Sequence, residues 1–282
     1  MSNITKYHND LNTVKLRKWT AEEMNFLFAI LTKVRDKGTD ILTFSTNDLR
    51  NLSGDNFVNP SRWAQTMEGV MNKIFELDYV ERTTSTIERI HLFRRFKLYL
   101  EERVLEIQVS EHFDYIVNNL QANFTKFELE EFTQIRSSYA KSLYRNFKQW
   151  RTVGRLTFKV SEFRDYLDIP KSYKAGQIDR DVITPAIQQL KPFFKGLTCS
   201  KVKERTAGTP IKEYVFTWKP EEALYESEKE YIEQKKVKKI KDVGSNVPDW
   251  HNPEYKNSTS ADEQRKMEEE KQKLLDKFEK QQ

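Results

Sequence analysis

The side chains best suited to a chemical task lie in one helical segment late in the sequence. Between Asp179 and Leu190, apolar Val182, Ile183, Ala186 and Leu190 fall on one side when the chain is wound at about 100° per residue. The opposite side carries Gln177, Arg180, Asp181, Thr184, Gln188 and Lys191. That set suits the edges of DNA bases. Arg bonds guanine O6 and N7, Gln bonds adenine N6 and N7, and Asp accepts from cytosine N4. Thr touches a thymine methyl or a phosphate. A polar outer face is generic on surface helices, so its meaning depends on the surrounding elements. Pro185 removes a backbone donor inside the same segment and predicts a kink near its middle.

The neighbouring residues suit phosphate. Lys171, Ser172, Tyr173 and Lys174 form a basic, hydroxyl-bearing turn just before the helix, where backbone N–H groups favour anions. A following hairpin carries Lys201, Lys203, Arg205 and Lys212, a cationic surface for a sugar-phosphate backbone or a minor groove. Arg145, Lys148 and Arg151 on the preceding helix are further candidates for phosphate contact. An earlier helix offers a weaker version of the same face. Its start carries Asn59, Ser61, Arg62 and Gln65, but Glu68 and Glu76 follow on the same side and would repel phosphates. Arg94, Arg95 and Lys97, in strands after it, are expected to contact the backbone.

Catalytic constellations are missing. No Gly is followed by Lys and then Ser or Thr, so there is no P-loop. The single cysteine, Cys199, allows no internal disulfide and no Cys-cluster metal site. His8, His91, His112 and His251 are too scattered for a His-x-His metal pair. Without that pair, Tyr139 and Tyr144 read as helix packing, not as nucleophiles for DNA cleavage. We therefore expect no cofactor, no metal and no enzymatic step.

The elements that must position these residues come in two rounds. Thr20, followed by Glu23 at capping-box spacing, opens a helix with a Met24, Leu27, Phe28 and Leu31 stripe, ending near Lys37-Gly38. A short strand over 41–44 and a short helix over 45–52 follow. Asn59-Pro60 opens a longer helix with Trp63, Met67, Val70, Ile74 and Leu77 on one face. Strands are expected over 79–84, 87–99 and 104–109, with Thr83 to Thr86 as a hairpin tip. The second round has one or two helices over 127–150, a strand over 156–158, and a short helix over 161–167. A turn over 170–176 leads to the helix over 179–190, then to strands over 197–203 and 211–218. Leu-Thr-Phe occurs at 42–44 and again at 156–158, a spacing of 114 residues. Helix, short strand, short helix, longer helix and β-hairpin is the order of a winged helix. The fold class is thus α+β, with two tandem winged-helix domains over 1–122 and 123–220 and a charged helical or disordered tail over 221–282. In that context the polar face of the last helix becomes a recognition face.

Charge is uneven along the chain. The tail holds 13 Lys/Arg and 16 Asp/Glu, while the first 220 residues hold 35 and 27, a net charge of +8. A basic body is compatible with a phosphate-rich partner. Lys235, Lys236, Lys238, Lys239 and Lys241 cluster in the tail and could add non-specific DNA affinity. No stretch approaches the roughly 20 apolar residues of a membrane helix, and the N-terminus lacks an apolar signal core. We expect a cytoplasmic protein with no membrane partner.

Several segments carry a resemblance. KYHNDLNTVKLRKWTAEEMNFLFAIL, FTKFELEEFTQIRSSYAKSLYRNFKQWRT, the DRDVITPAIQQL helix and the GTPIKEYVFTW strand resemble the Rep_3 family, the initiators of iteron-containing theta plasmids. The likeness covers roughly residues 4–220 and is strongest to members from low-GC Gram-positive plasmids. It implies monomers that bind directly repeated iterons in double-stranded origin DNA, and dimers of the same chain that bind an inverted repeat and repress their own promoter. It implies recruitment of the host initiator ATPase and the replicative helicase. The second winged helix would read the major groove; the first would grip the backbone and form the dimer interface. Arg180, Asp181 and Thr184 inherit base reading, although Asp181 falls where relatives often carry a basic residue. Lys171, Lys174 and the wing lysines inherit phosphate contact. A dedicated winged-helix transcriptional repressor is the alternative; a nicking replication enzyme fits less well.

Overall fold

A computed structural model describes residues 3–54, 60–82, 84–204 and 210–222. Side chains at 60–64, 78–82 and 88–90 lie outside the description, as does the tail from residue 223.

The first round begins with strand β1 (Ile4–His8) and helix α1 (Ala21–Val34). The expected capping box is present. Thr20 Oγ1 accepts from Glu23 N–H at 3.2 Å, and Glu23 Oε2 accepts from Thr20 N–H at 2.7 Å. Then come β2 (Leu42–Ser45), α2 (Thr46–Ser53) and α3 (Pro60–Glu76). Glu23 also holds Lys73 of α3, with Nζ–Oε2 at 2.5 Å. One carboxylate therefore caps α1 and ties it to α3. Gly69 leaves it room, since a Cβ there would sit 3.0 Å from Glu23 Oε1.

The expected strand over 87–99 is two strands serving two sheets. Strand β3 (Asp78–Arg82) pairs with β4 (Ile87–His91), while β5 (Phe93–Tyr99) pairs with β6 (Val104–Val109). Leu92 is the crossing point. It is buried, its N–H reaches Leu77 O at 3.4 Å, and its carbonyl accepts from Ser110 N–H at 3.1 Å. Both halves keep β-rich composition, so residue types alone could not show the change of partner. The β3–β4 hairpin is an insertion between α3 and the wing β5–β6.

After a short helix α4 (Asp114–Val117) comes β7 (Phe124–Glu128), which pairs antiparallel with β1 from Ile4↔Glu128 to His8↔Phe124. Helices α5 (Leu129–Gln134) and α6 (Ser138–Gln149) follow. The second round continues with β8 (Arg155–Lys159), α7 (Val160–Tyr166), α8 (Ala175–Ile178), a π-helical turn over Asp179–Ile183, and α9 (Thr184–Leu190). Strands β9 (Thr198–Lys203) and β10 (Ile211–Thr217) form its wing.

The two rounds share one sheet plan. Strand order is β2-β6-β5 in the first and β8-β10-β9 in the second. The repeated tripeptide sits in the same place in each, with Thr43 opposite Glu106 and Thr157 opposite Val215. Each short strand therefore pairs with the returning strand of its wing.

One apolar core runs through both rounds. Phe28 of α1 meets Phe132 of α5 at 4.6 Å between ring centroids, and Phe127 of β7 meets Tyr144 of α6 edge-on at 5.2 Å. Polar groups are matched across the same seam. Asn12 Nδ2 donates to Thr125 Oγ1 at 2.8 Å and to Gln149 Oε1 at 2.9 Å. Arg145, expected on the surface, is 1% exposed and donates through Nη2 to Leu11 O at 2.5 Å.

Candidate nucleic-acid interface

The helical segment that carries the candidate base-reading face is interrupted just before its proline. Helix α8, the π-helical turn and α9 run on from Ala175 to Leu190. Thr184 N–H reaches back five residues to Asp179 O. Pro185, which has no N–H to give, falls where this wide turn hands over to α9. The backbone absorbs the proline by widening before it. As expected, Val182, Ile183, Ala186 and Leu190 are buried, joined by Ile178. Arg180, Asp181, Thr184, Gln188 and Lys191 are exposed together on the outer side.

Within that row, two side chains are already engaged with each other. Arg180 Nε lies 2.7 Å from Asp181 Oδ1, and Nη2 lies 2.8 Å from Oδ2. The hydrogen bonds from Arg180, together with its charge, hold the Asp181 carboxyl below its usual range. Gln177 is placed differently from the base-reading expectation. Its Oε1 accepts from Lys174 N–H at 2.8 Å, so it caps the start of α8.

The basic turn before the helix is set by a residue the sequence did not single out. Arg164 of α7 donates to Tyr173 O at 2.5 Å and to Pro170 O at 3.4 Å. Lys171, Ser172 and Lys174 are exposed there and Tyr173 is half-buried. Gln189, also missed, ties α9 to the start of α6, accepting from Arg136 N–H at 2.8 Å and Ser137 N–H at 3.1 Å. Neither residue carries a sequence signal, because each acts on backbone brought close only by the fold.

The wing packs against this helix through an ion pair. Lys201 of β9 binds Asp179 at the start of the π-helical turn, so its ammonium is not simply a free phosphate ligand. Lys203 and Lys212 are exposed, and Arg205 lies outside the described residues. Burial pushes the nearby Cys199 thiol up to about 12 despite Lys201.

Three expected phosphate ligands are buried instead. Besides Arg145, Lys148 and Arg151 are 8% and 7% exposed. Lys148 Nζ lies 3.2 Å from Glu131 and 3.6 Å from Glu221, and Arg151 Nε lies 3.6 Å from Glu221. Acidic partners distant in sequence drew these cations inward. Tyr144 is buried as expected of packing. Its hydroxyl donates to Glu131 Oε2 at 2.5 Å, and burial, then Glu131, pushes its ionisation well above the usual value.

The first round presents less. Gln65 is exposed on α3, and so are Glu68 and Glu76. Asn59 lies outside the described residues, as do the side chains of Ser61 and Arg62. Arg94 pairs with Glu111 at 3.4 Å and Arg95 with Glu106 at 2.8 Å. Lys97 sits 4.1 Å from the Tyr99 ring centroid. Among the described residues no cluster of His, Cys, Asp or Glu is placed to hold a metal ion, and no helix is long and apolar enough to cross a membrane.

Known proteins share this fold. Residues 4–148 match a family model described as the first winged-helix part of initiator replication proteins, and residues 159–218 match the model of the second. The first match thus extends through β7 and α5 into α6. A probable replication protein of Bifidobacterium longum (strain NCC 2705) is 32% identical over 223 residues, which span 77% of this chain and 73% of that protein. Among solved structures, the crystal structure of Pi initiator protein in complex with iteron DNA aligns at a TM-score of 0.60 with 16% identity. It covers 79% of this chain and 99% of that one, and shows a common fold.

Proposed function

Since this chain belongs to the family of initiator replication proteins with two winged-helix domains, we propose that it starts plasmid replication by binding repeated sites in double-stranded origin DNA. One observation carries the reading. The exposed row Arg180, Asp181, Thr184 and Gln188 stands between a basic turn and a cationic wing, on a fold shared with an initiator solved on iteron DNA. In this reading the second winged helix lies in the major groove and that row faces the bases, with Arg180, Thr184 and Gln188 as its readers. Lys171, Lys174, Lys203 and Lys212 neutralise phosphates on either side.

The first winged helix has the lesser DNA role. Its α3 face carries two carboxylates, and Arg94 and Arg95 already have acidic partners. Its part is to steady the backbone and to join a second copy of the chain. A dimer so formed would repress the initiator's own promoter at an inverted repeat. Opening of the origin, with recruitment of the host initiator ATPase and replicative helicase, would follow binding, with no bond made or broken by this chain.

A footprint of the purified full chain on the DNA upstream of its gene, at physiological salt, tests the reading. Protection of evenly spaced direct repeats is the expected result. Protection of one inverted repeat alone would replace an initiator with a repressor. Lack of any protected site would end the DNA-reading proposal.

A further inference from the structure

The pairing of Arg180 with Asp181 has a consequence for what the helix reads. A guanidinium has five N–H donors and three edges. Asp181 occupies the side edge of Arg180, made of Nε and Nη2, at 2.7 and 2.8 Å. The end edge, made of Nη1 and the second Nη2 hydrogen, remains. That edge is the fork that matches the paired acceptors O6 and N7 of guanine. Asp181 turns both oxygens to Arg180, one hydrogen bond to each.

The other acidic neighbour is kept out of the contest. Asp179 adjoins Arg180 on the opposite side but is held by Lys201 of the wing. Among the described residues Arg180 thus meets one carboxylate, in one geometry, while its side chain stays 72% exposed. An arginine reaching alone into solvent must give up its rotamer freedom on binding. One already clamped from the side has surrendered part of it. The pair also explains an acidic residue on a surface facing phosphates, because the clamp cancels its charge locally.

Resting on the DNA-reading proposal above, we infer that Asp181 is a positioning residue: it fixes the Arg180 fork outward, and so sets a preference for guanine at one base pair of the bound site. The test is binding-site selection from randomised duplex DNA by the full chain, followed by competition with single-base variants. Wild type, Asp181→Asn, Asp181→Ala and Arg180→Ala would be compared. Wild type should favour guanine at one position by about tenfold or more, the range of a good bidentate contact. Arg180→Ala should erase that preference. Both Asp181 variants should reduce it to about threefold or less at the same position and leave the other positions alone. Replacing that guanine with 7-deazaguanine should penalise wild type and hardly affect Asp181→Ala.

Three results would overturn the inference. Asp181→Ala could keep the guanine preference intact. It could lose preference at a base pair other than the one Arg180 reads, making Asp181 a reader itself. Or it could bind all sequences more tightly with its preference unchanged, making Asp181 a mere brake on a free cation. Wild type selecting no sequence at all would overturn the DNA-reading proposal itself, a distinguishable failure.

Discussion

Arg145→Ala separates a buried strut from a phosphate ligand. The sequence places Arg145 among cations available to DNA; the structure seals it between the two rounds of the fold. Its guanidinium gives a 2.5 Å hydrogen bond to Leu11 O and lies 5.2 Å from the Phe28 ring centroid. It sits beside Tyr7, whose phenol burial pushes up to about 12 although Arg145 pulls the other way. Truncation removes a charged hydrogen bond of about 1.5–3 kcal/mol and a desolvated ring contact of up to about 2 kcal/mol. It also opens a cavity, at roughly 24 cal/mol per Å³. Against these stands relief from burying a charge whose Nε has no partner among the described residues. We expect a net loss of about 3 kcal/mol, hence a thermal midpoint lower by about 6–12 °C for a folded body of this size. The assay is thermal unfolding beside DNA binding over a range of salt. An unchanged midpoint, with the slope of log K against log salt shallower by about 0.9, would refute the strut and restore the phosphate contact.

Other perturbations follow from the same geometry. Lys201→Ala should release Asp179 and loosen the wing from the helical segment that carries Arg180. Its pair is partly exposed, so the loss should be about 1 kcal/mol, confined to the specific site and with an unchanged salt slope. Equal weakening on all DNA, with a shallower slope, would make Lys201 a phosphate ligand after all. Gly154→Ala should destabilise by about 2–4 kcal/mol in denaturant unfolding. Its φ is +71° and a Cβ would meet Trp218 O at 2.6 Å, adding overlap to the left-handed penalty of roughly 1–2 kcal/mol; a fully stable variant would contradict this turn. Lys141 is 0% exposed and bonds to Asn25 Oδ1 at 2.6 Å and to Phe132 O, with no carboxylate partner among the described residues. Burial holds its ionisation well below the usual lysine value. The unfolded chain therefore binds more protons between the two values, and stability contributed here rises with pH. Denaturant midpoints should move in favour of wild type over Lys141→Met as pH climbs towards the ordinary lysine range near 10.4. Parallel pH profiles would sink this reading.

Much of the fold was legible because its signals are local. Thr20 and Glu23 announce a helix start by spacing alone, and the 3.6-residue recurrence of Val182, Ile183, Ala186 and Leu190 shows which side of the last helix is buried. The repeated Leu-Thr-Phe marked equivalent strands. What escaped depends on partners far away in the chain. Strand β1 is visible only by its pairing with β7, some 120 residues on. Leu92 divides a uniform β-like run because two different strands compete for its neighbours. The candidate site divides in the same way. The outward row Arg180, Asp181, Thr184 and Gln188 follows from periodicity. The retirement of Gln177 to a cap and of Lys201 to an ion pair does not, because each depends on a particular backbone or side-chain partner.

Charge alone would misjudge how this surface works. Asp179 and Asp181 flank Arg180 in the chain, yet Lys201 and Arg180 cancel both carboxylates with defined geometry. The net charge of that cluster is zero, so it gives little general pull toward phosphate. General pull falls to Lys171, Lys174, Lys191, Lys203 and Lys212, all exposed around it. On the proposed reading, affinity and selectivity therefore lie on separate residues: lysines at the rim bring any DNA near, while the clamped centre decides which sequence stays. Neutralising a rim lysine should lower binding to all DNA and flatten its salt dependence by about 0.9 per contact. Altering the centre should change the preferred base and leave the salt slope alone. A mutant series in which both groups of residues moved both quantities together would contradict the separation.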